Sequence, residues 1–191
     1  MGVWLRSRDQ MAKWGIAHEK FSLSEESTYE QMQGENHDYC FFDSHGIVHI
    51  EFVPPGQTVN HTFYKDVLEW LRKWVQRFRW DIADDWVLQH DNTPAHTALS
   101  ILEFLAKKNI PVLPHPPYSP DQTPCDFCLF PKLKSNLKGH HFGTMEYIQK
   151  IVTDELNTLM ENDFKYFYDQ WKKRWNHCVT SLGSYFEGNN L

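Results

Sequence analysis

Two aspartates stand where a carboxylate could do chemistry rather than face solvent. Asp91 follows closely on Trp86-Val87-Leu88-Gln89, a short apolar run with the character of a buried strand. Open α/β sheets bind ligands where their strands run out. Asp126 begins the helical pattern after a proline-rich stretch, where the helix dipole favours an acid in any case. Brought together, the two carboxylates could share a metal ion. Taken singly, Asp91 reads as a turn acid and Asp126 as a helix-start acid, and at this level both readings stand. His90, Asn92 and His96 surround Asp91 and read as residues that orient it. The two histidines lack the i, i+4 spacing of a zinc-binding helix. Beyond Asp126 come Lys132, Lys134, Lys138, His140 and His141. These could follow DNA phosphates or form a solvated face. Cys125-x-x-Cys128 has no second CxxC, which favours packing over zinc. Ser119 has no Gly-x-Ser-x-Gly elbow around it.

The elements that must position these residues are readable from periodicity. Tyr39–Phe42 and Ile47–Val53 read as a hairpin around the turn Asp43-Ser44-His45-Gly46. Phe63, Val67, Trp70, Leu71, Trp74, Val75 and Phe78 fall at helical spacing and predict a core-facing stripe. Thr93 is placed to cap a helix with Pro94 in its first turn, running to about Lys108 with Ala98, Leu102 and Leu105 inward. Ile110–Leu113 predicts a strand. Seven of the chain's ten prolines lie between Pro111 and Pro131, a stiff extended stretch that cannot turn helical until after Pro124. Two amphipathic patterns follow, at about 144–160 and 163–180. The order β-β-α-β-α-β-loop-α-α-α implies an α/β domain with helices on the faces of a mixed sheet.

The chain has 191 residues, enough for one domain. With 41% apolar and 15% aromatic side chains it can bury a core. No apolar run is long enough to span a membrane. Four cysteines make too few bridges for a disulfide framework at this size. The net charge of −6 argues against nucleic acid, but residues 105–141 carry five basic and two acidic side chains. Residues 22–39 hold five acids and no Lys or Arg, and predict a flexible segment. The expected division is a partly flexible N-terminal piece, 1–38, and a folded domain, 39–191.

The wording of several stretches narrows the chemistry. His90-Asp91-Asn92-Thr93-Pro94-Ala95-His96-Thr97-Ala98 resembles the HDNAPAHTA signature of mariner transposases. Leu113 through Phe127 resembles their LPHPPYSPDLAPCDF. Thirty-four residues separate Asp91 from Asp126, matching the gap between the family's second and third catalytic acids. Phe41–His49, Glu51–Asn60, Phe130–Lys134, Trp171–Trp175 and Gly183–Gly188 are also similar to mariner text. The resemblance covers about residues 40–188.

That resemblance implies an RNase H-like domain in which three acids hold two divalent metals, Mg²⁺ or Mn²⁺, for DNA strand cleavage and joining. Asp91 and Asp126 match the second and third acids. The first lies in a DE(T/K)W-like strand upstream of an SxQW segment, and Ser7–Trp14 looks like that segment. The expectation is therefore a fragment with its first strand missing or incomplete and catalysis impaired, 1–38 being a degenerate leader and 39–191 an incomplete catalytic domain. Asp9 and Asp43 are weak substitutes for the missing acid, better read as a surface acid and a turn former. The alternative is a non-catalytic DNA- or protein-binding remnant. The partners implied are DNA and a second copy of the chain, with no membrane and no small-molecule substrate, in the nucleus.

Overall fold

A computed structural model describes residues 2–3, 16–18, 38–117, 119–137 and 144–181. Its centre is an antiparallel hairpin of β3 (Asp38–Asp43) and β4 (Gly46–Phe52), preceded in the chain by β1 (Gly2–Val3) and β2 (Ile16–His18). Successive side chains of a strand point to opposite faces. The run Tyr-Cys-Phe-Phe is apolar on both, so the hairpin is buried on both. Tyr39 and Phe41 enter one core, Cys40 and Phe42 the other. A bulge slips the ladder from Phe41↔His49 to Phe42↔Ile47 and leaves Val48 as the extra residue. The turn closes on Ser44-His45. Asp43 Oδ1 accepts hydrogen bonds from the His45 and Gly46 backbone N–H groups at 2.8 and 3.0 Å. Gly46 sits at φ +142°, a conformation that favours glycine. Asp43 is also clamped by Arg79 Nε at 2.5 Å. It is a turn former, as its sequence context implies.

Helix α1 (His61–Phe78) covers the first face. Asn60 caps it, its side-chain oxygen accepting from the Thr62 and Phe63 N–H groups at 3.0 Å each. The buried stripe is Tyr64, Val67, Leu68, Leu71 and Val75. This corrects the predicted one: Trp70, Trp74 and Phe78 share its period but lie at its edge and are exposed. The arc of apolar residues is wider than the face that fits against the hairpin.

After α1 come β5 (Leu88–Gln89), α2 (Pro94–Thr97), α3 (Leu99–Lys107) and β6 (Val112–Leu113). The four-stranded sheet runs β1-β2-β5-β6, parallel throughout. The predicted single helix from Thr93 to Lys108 is broken at Ala98, whose ψ of 142° is extended. Of the residues predicted to face inward, Leu105 is buried and Ala98 partly so, while Leu102 is exposed and Ile101 and Phe104 face the core in its place. The break lets α2 aim His96 one way while α3 packs on α1.

The proline stretch contains one 3₁₀ turn, Pro120–Gln122, and ends in a π-helical turn, Cys125–Leu129. Then follow α4 (Phe130–Leu137), α5 (Met145–Thr158) and α6 (Glu161–Thr180). These three helices bury Leu133, Ile148, Val152, Leu156, Phe164 and Phe167 against the hairpin's second face. Trp171 Nε1 donates to the Gln122 carbonyl at 2.9 Å and pins the proline stretch to α6. No helix among the described residues is long and apolar enough to cross a membrane.

Leu71 is fully buried on the inner face of α1. Leu71→Ala should cost about 2–5 kcal/mol through transfer loss and a residual cavity. Asn60→Ala should cost about 1 kcal/mol. Denaturant midpoints at constant slope measure both.

Candidate metal centre

Parallel pairing places Leu88 beside Val112 and Gln89 beside Leu113. Residues two beyond each strand therefore emerge side by side, and these are Asp91 and His115. The Asn92 amide donates to the His115 carbonyl at 2.8 Å and locks the two strand ends together. Gln89 Nε2 lies 3.3 Å from His115 Nδ1, and Thr123 Oγ1 lies 3.5 Å from His115 Nε2. An amide N–H can only donate, so the bond pattern assigns the proton of the neutral ring to Nε2. The Thr123 carbonyl in turn accepts the Asp126 N–H at 2.9 Å. His115 thus spans the gap between the two acids. It feels the charges of Asp91, Asp126 and Asp121, yet burial dominates and lowers its pKa.

Asp91 is held as an anion. Burial pushes its carboxyl upward, but donors overcome it and its pKa falls to about 2. Oδ1 accepts from His96 Nδ1 at 2.6 Å and from the Thr93 N–H at 2.8 Å, and Oδ2 accepts from the Thr93 hydroxyl. Thr93 therefore spends its side chain on Asp91 and makes no helix-capping bond, contrary to the cap expected from its position. Burial lowers the pKa of His96, so a neutral ring donates from Nδ1. His90 does not hydrogen-bond Asp91; its Nδ1 lies 2.8 Å from the Tyr64 hydroxyl. Burial, aided by the neighbouring His96, lowers His90 to about 3. The His90 and His96 rings stack at 5.4 Å and 8°, and Tyr64 packs on His96 at 3.9 Å between centroids. The histidines form a rigid neutral wall behind Asp91.

Asp126 sits in the π-helical turn, a wide geometry frequent at functional sites. Burial raises its pKa from 3.8 to about 6, and the charge of Asp91 adds to that. His115 and Lys134 pull the other way. At neutral pH the place carries two carboxylates beside neutral imidazoles. A divalent cation would relieve that repulsion, and carboxylate oxygen is the donor that Mg²⁺ and Mn²⁺ prefer. The donor chemistry fits. Among the described residues no group of three His, Cys, Asp or Glu side chains is placed to hold a metal.

The other sequence candidates separate clearly. Lys134 is exposed within reach of Asp126's field, whereas Lys132 Nζ is paired with Asp163 at 2.5 Å. Lys138 and His140 lie outside the described residues, as does most of 1–38. Cys125 and Cys128 are free thiols packed in the second core, and burial raises the pKa of both, that of Cys128 to about 12. Sequence reasoning missed His115, Thr93, Tyr64 and Gln89 as parts of the site. For His115 a signal existed: it stands two residues past its strand, as Asp91 does past its own.

Parallel and antiparallel strands between helices, with one acid past a strand end and another in the turn that opens a helix, are the arrangement of an RNase H-like domain. A family model described as a transposase, partial DDE domain, matches residues 9–82. The Mos1 mariner transposase of Drosophila mauritiana is 32% identical over 151 residues, covering 77% of this chain and 44% of that protein. The structure of the Mos1 transposase catalytic domain with raltegravir and Mg superposes with a TM-score of 0.73 at 30% identity, covering 80% of this chain and 77% of that one. The Mos1 paired end complex with Mn superposes at 0.78 and 28% identity, covering 88% of this chain and 52% of that one. The chain belongs to the mariner family of transposases. It spans less than half the length of the curated relatives it matches.

Asp126 makes a signed prediction. Its pKa is raised on folding, so its stabilising contribution is complete below about pH 4 and lost as pH rises through 6. Asp91 has the opposite sign, its contribution failing only as pH falls through about 2. Without divalent ions, Asp126→Asn should be more stable than wild type at pH 7. The gain is about 1 kcal/mol after discounting for solvent access, vanishing at pH 4. Calorimetry across pH 4–7 checks it; parallel profiles would place Asp126 in water.

Proposed function

We propose that this chain carries the metal-binding acids of a DNA strand-cleaving and strand-transferring site, with Asp91 and Asp126 as the ligands. What supports the reading is that Asp126 feels the charge of Asp91 and that a chain of contacts through Asn92, His115 and Thr123 ties the two segments together. When bound, Mg²⁺ or Mn²⁺ neutralises charge on the entering and leaving oxygens of a phosphodiester. The chain's own residues do the rest. Thr93 and His96 keep Asp91 ionised and fix its oxygens. Tyr64 and His90 hold the His96 ring. His115 fixes the spacing between the acids. Lys134 offers a cation to a phosphate beside Asp126. Support for DNA as the substrate comes from Mos1, whose paired end complex shares this fold.

Two carboxylates give a weaker site than three, because each acid contributes about a unit of charge facing the cations. The proposal is therefore a transposase fragment with impaired catalysis, acting in the nucleus and able to pair with a second copy. The alternative is a DNA- or protein-binding remnant without cleavage.

Mn²⁺-dependent nicking of plasmid DNA separates these. The enzyme reading expects weak nicking that falls to background in Asp91→Ala. Equal nicking by wild type and variant would sink it. Thr93→Ala should weaken Mn²⁺ binding about 10- to 100-fold by freeing the Asp91 carboxylate to turn, read as loss of the Mn²⁺-induced rise in Tm.

A further inference from the structure

The outer stripe of α1 is the largest feature that the carboxylate site does not use. Trp70 and Phe78 are 54% and 46% exposed, and Trp80, just past the helix, is 80% exposed. Trp74 lies between them, stacked on Phe78 at 4.5 Å and on His49 at 5.9 Å. That column runs on through Phe41 into the core, so the rings are rigidly founded. Lys73 and Arg77 occupy the alternate positions of the stripe. Lys73 Nζ lies 4.6 Å over the Trp70 ring and Arg77 lies 5.0 Å over Phe78. Among the described residues neither cation is ion-paired, while the nearest acid of the helix, Glu69, is engaged by Arg72 and Lys108. Asp66 lies one turn earlier, Glu51 is bonded at 3.0 Å to His49, the ring on which Trp74 stacks, and exposed Asp81 follows Trp80 in the chain. The last two turns therefore present rings and unpaired positive charge together.

Such a surface suits a flexible polyanion with exposed π-faces. A second copy meeting it through a two-fold axis would set Lys73 and Arg77 against their own kind. A duplex hides its base faces. We propose that the outer stripe of α1 binds single-stranded DNA, bases stacking on Trp70, Phe78 and Trp80 and phosphates pairing with Lys73 and Arg77. The surface is independent of the Asp91–Asp126 site.

The test is fluorescence titration of the full chain with an oligothymidine strand in EDTA, so that metal at the carboxylates contributes nothing. Saturable tryptophan quenching is expected. Trp70→Ala should weaken binding about 10-fold and Trp70→Phe should restore most of it. The pair Lys73→Glu and Arg77→Glu should weaken it further and flatten its salt dependence. Far-UV circular dichroism checks that each exposed-site variant folds. Unchanged affinity in folded variants, or equal affinity for a duplex of the same sequence, overturns the proposal. So does sedimentation showing a wild-type dimer that Trp70→Ala turns to monomer without altering strand affinity.

Discussion

Asp91 is a partly buried anion, and burial of a charge is unfavourable unless donors replace the lost water. His96 Nδ1, the Thr93 N–H and the Thr93 hydroxyl are among those that do so. Each makes its own demand on the fold. His96 must be held neutral and aimed, which Tyr64 and His90 accomplish from α1 and the end of β5. Thr93 must turn back rather than cap α2. The helix must then break at Ala98 so that α3 can reach the core from a different direction. The local irregularities of residues 90–99 follow from keeping one carboxylate charged.

Asp126 is the complementary case. It has burial without a matching set of donors, and a like charge nearby, so its proton is held more tightly than that of a solvated acid. Two acids in opposite circumstances, joined through a histidine at a parallel strand end, make a place that gains from a divalent ion. The stiffness of the proline stretch matters here. Prolines limit the conformations open to residues 111–124, and Trp171 fastens the stretch to α6. The separation of the acids is thus set by backbone restriction and by packing far from either.

The hairpin serves both halves of the molecule. Its alternating faces seed two cores, one under α1 and α3, the other under α4, α5 and α6. The run Tyr39–Phe42 is apolar at every position because both faces are covered. That pattern was legible from residue types alone, and so were the long helices, whose periodicity is strong. Less legible was which residues of a helix turn inward. Trp70 and Trp74 have the spacing of core residues, and only the width of the surface beneath α1 leaves them outside.

Composition and wording were sufficient for the family and for most of the elements after residue 38, since these depend on local pattern and motif spacing along the chain. What the folded arrangement decided is how those acids behave. The pKa of Asp91, the reach of His115, the diversion of Thr93 from capping and the pairing of Lys132 with Asp163 all depend on groups distant in the chain. Charge and hydrogen bonding act through space over a few ångströms, and the neighbours that matter exist only once β5 and β6 lie side by side.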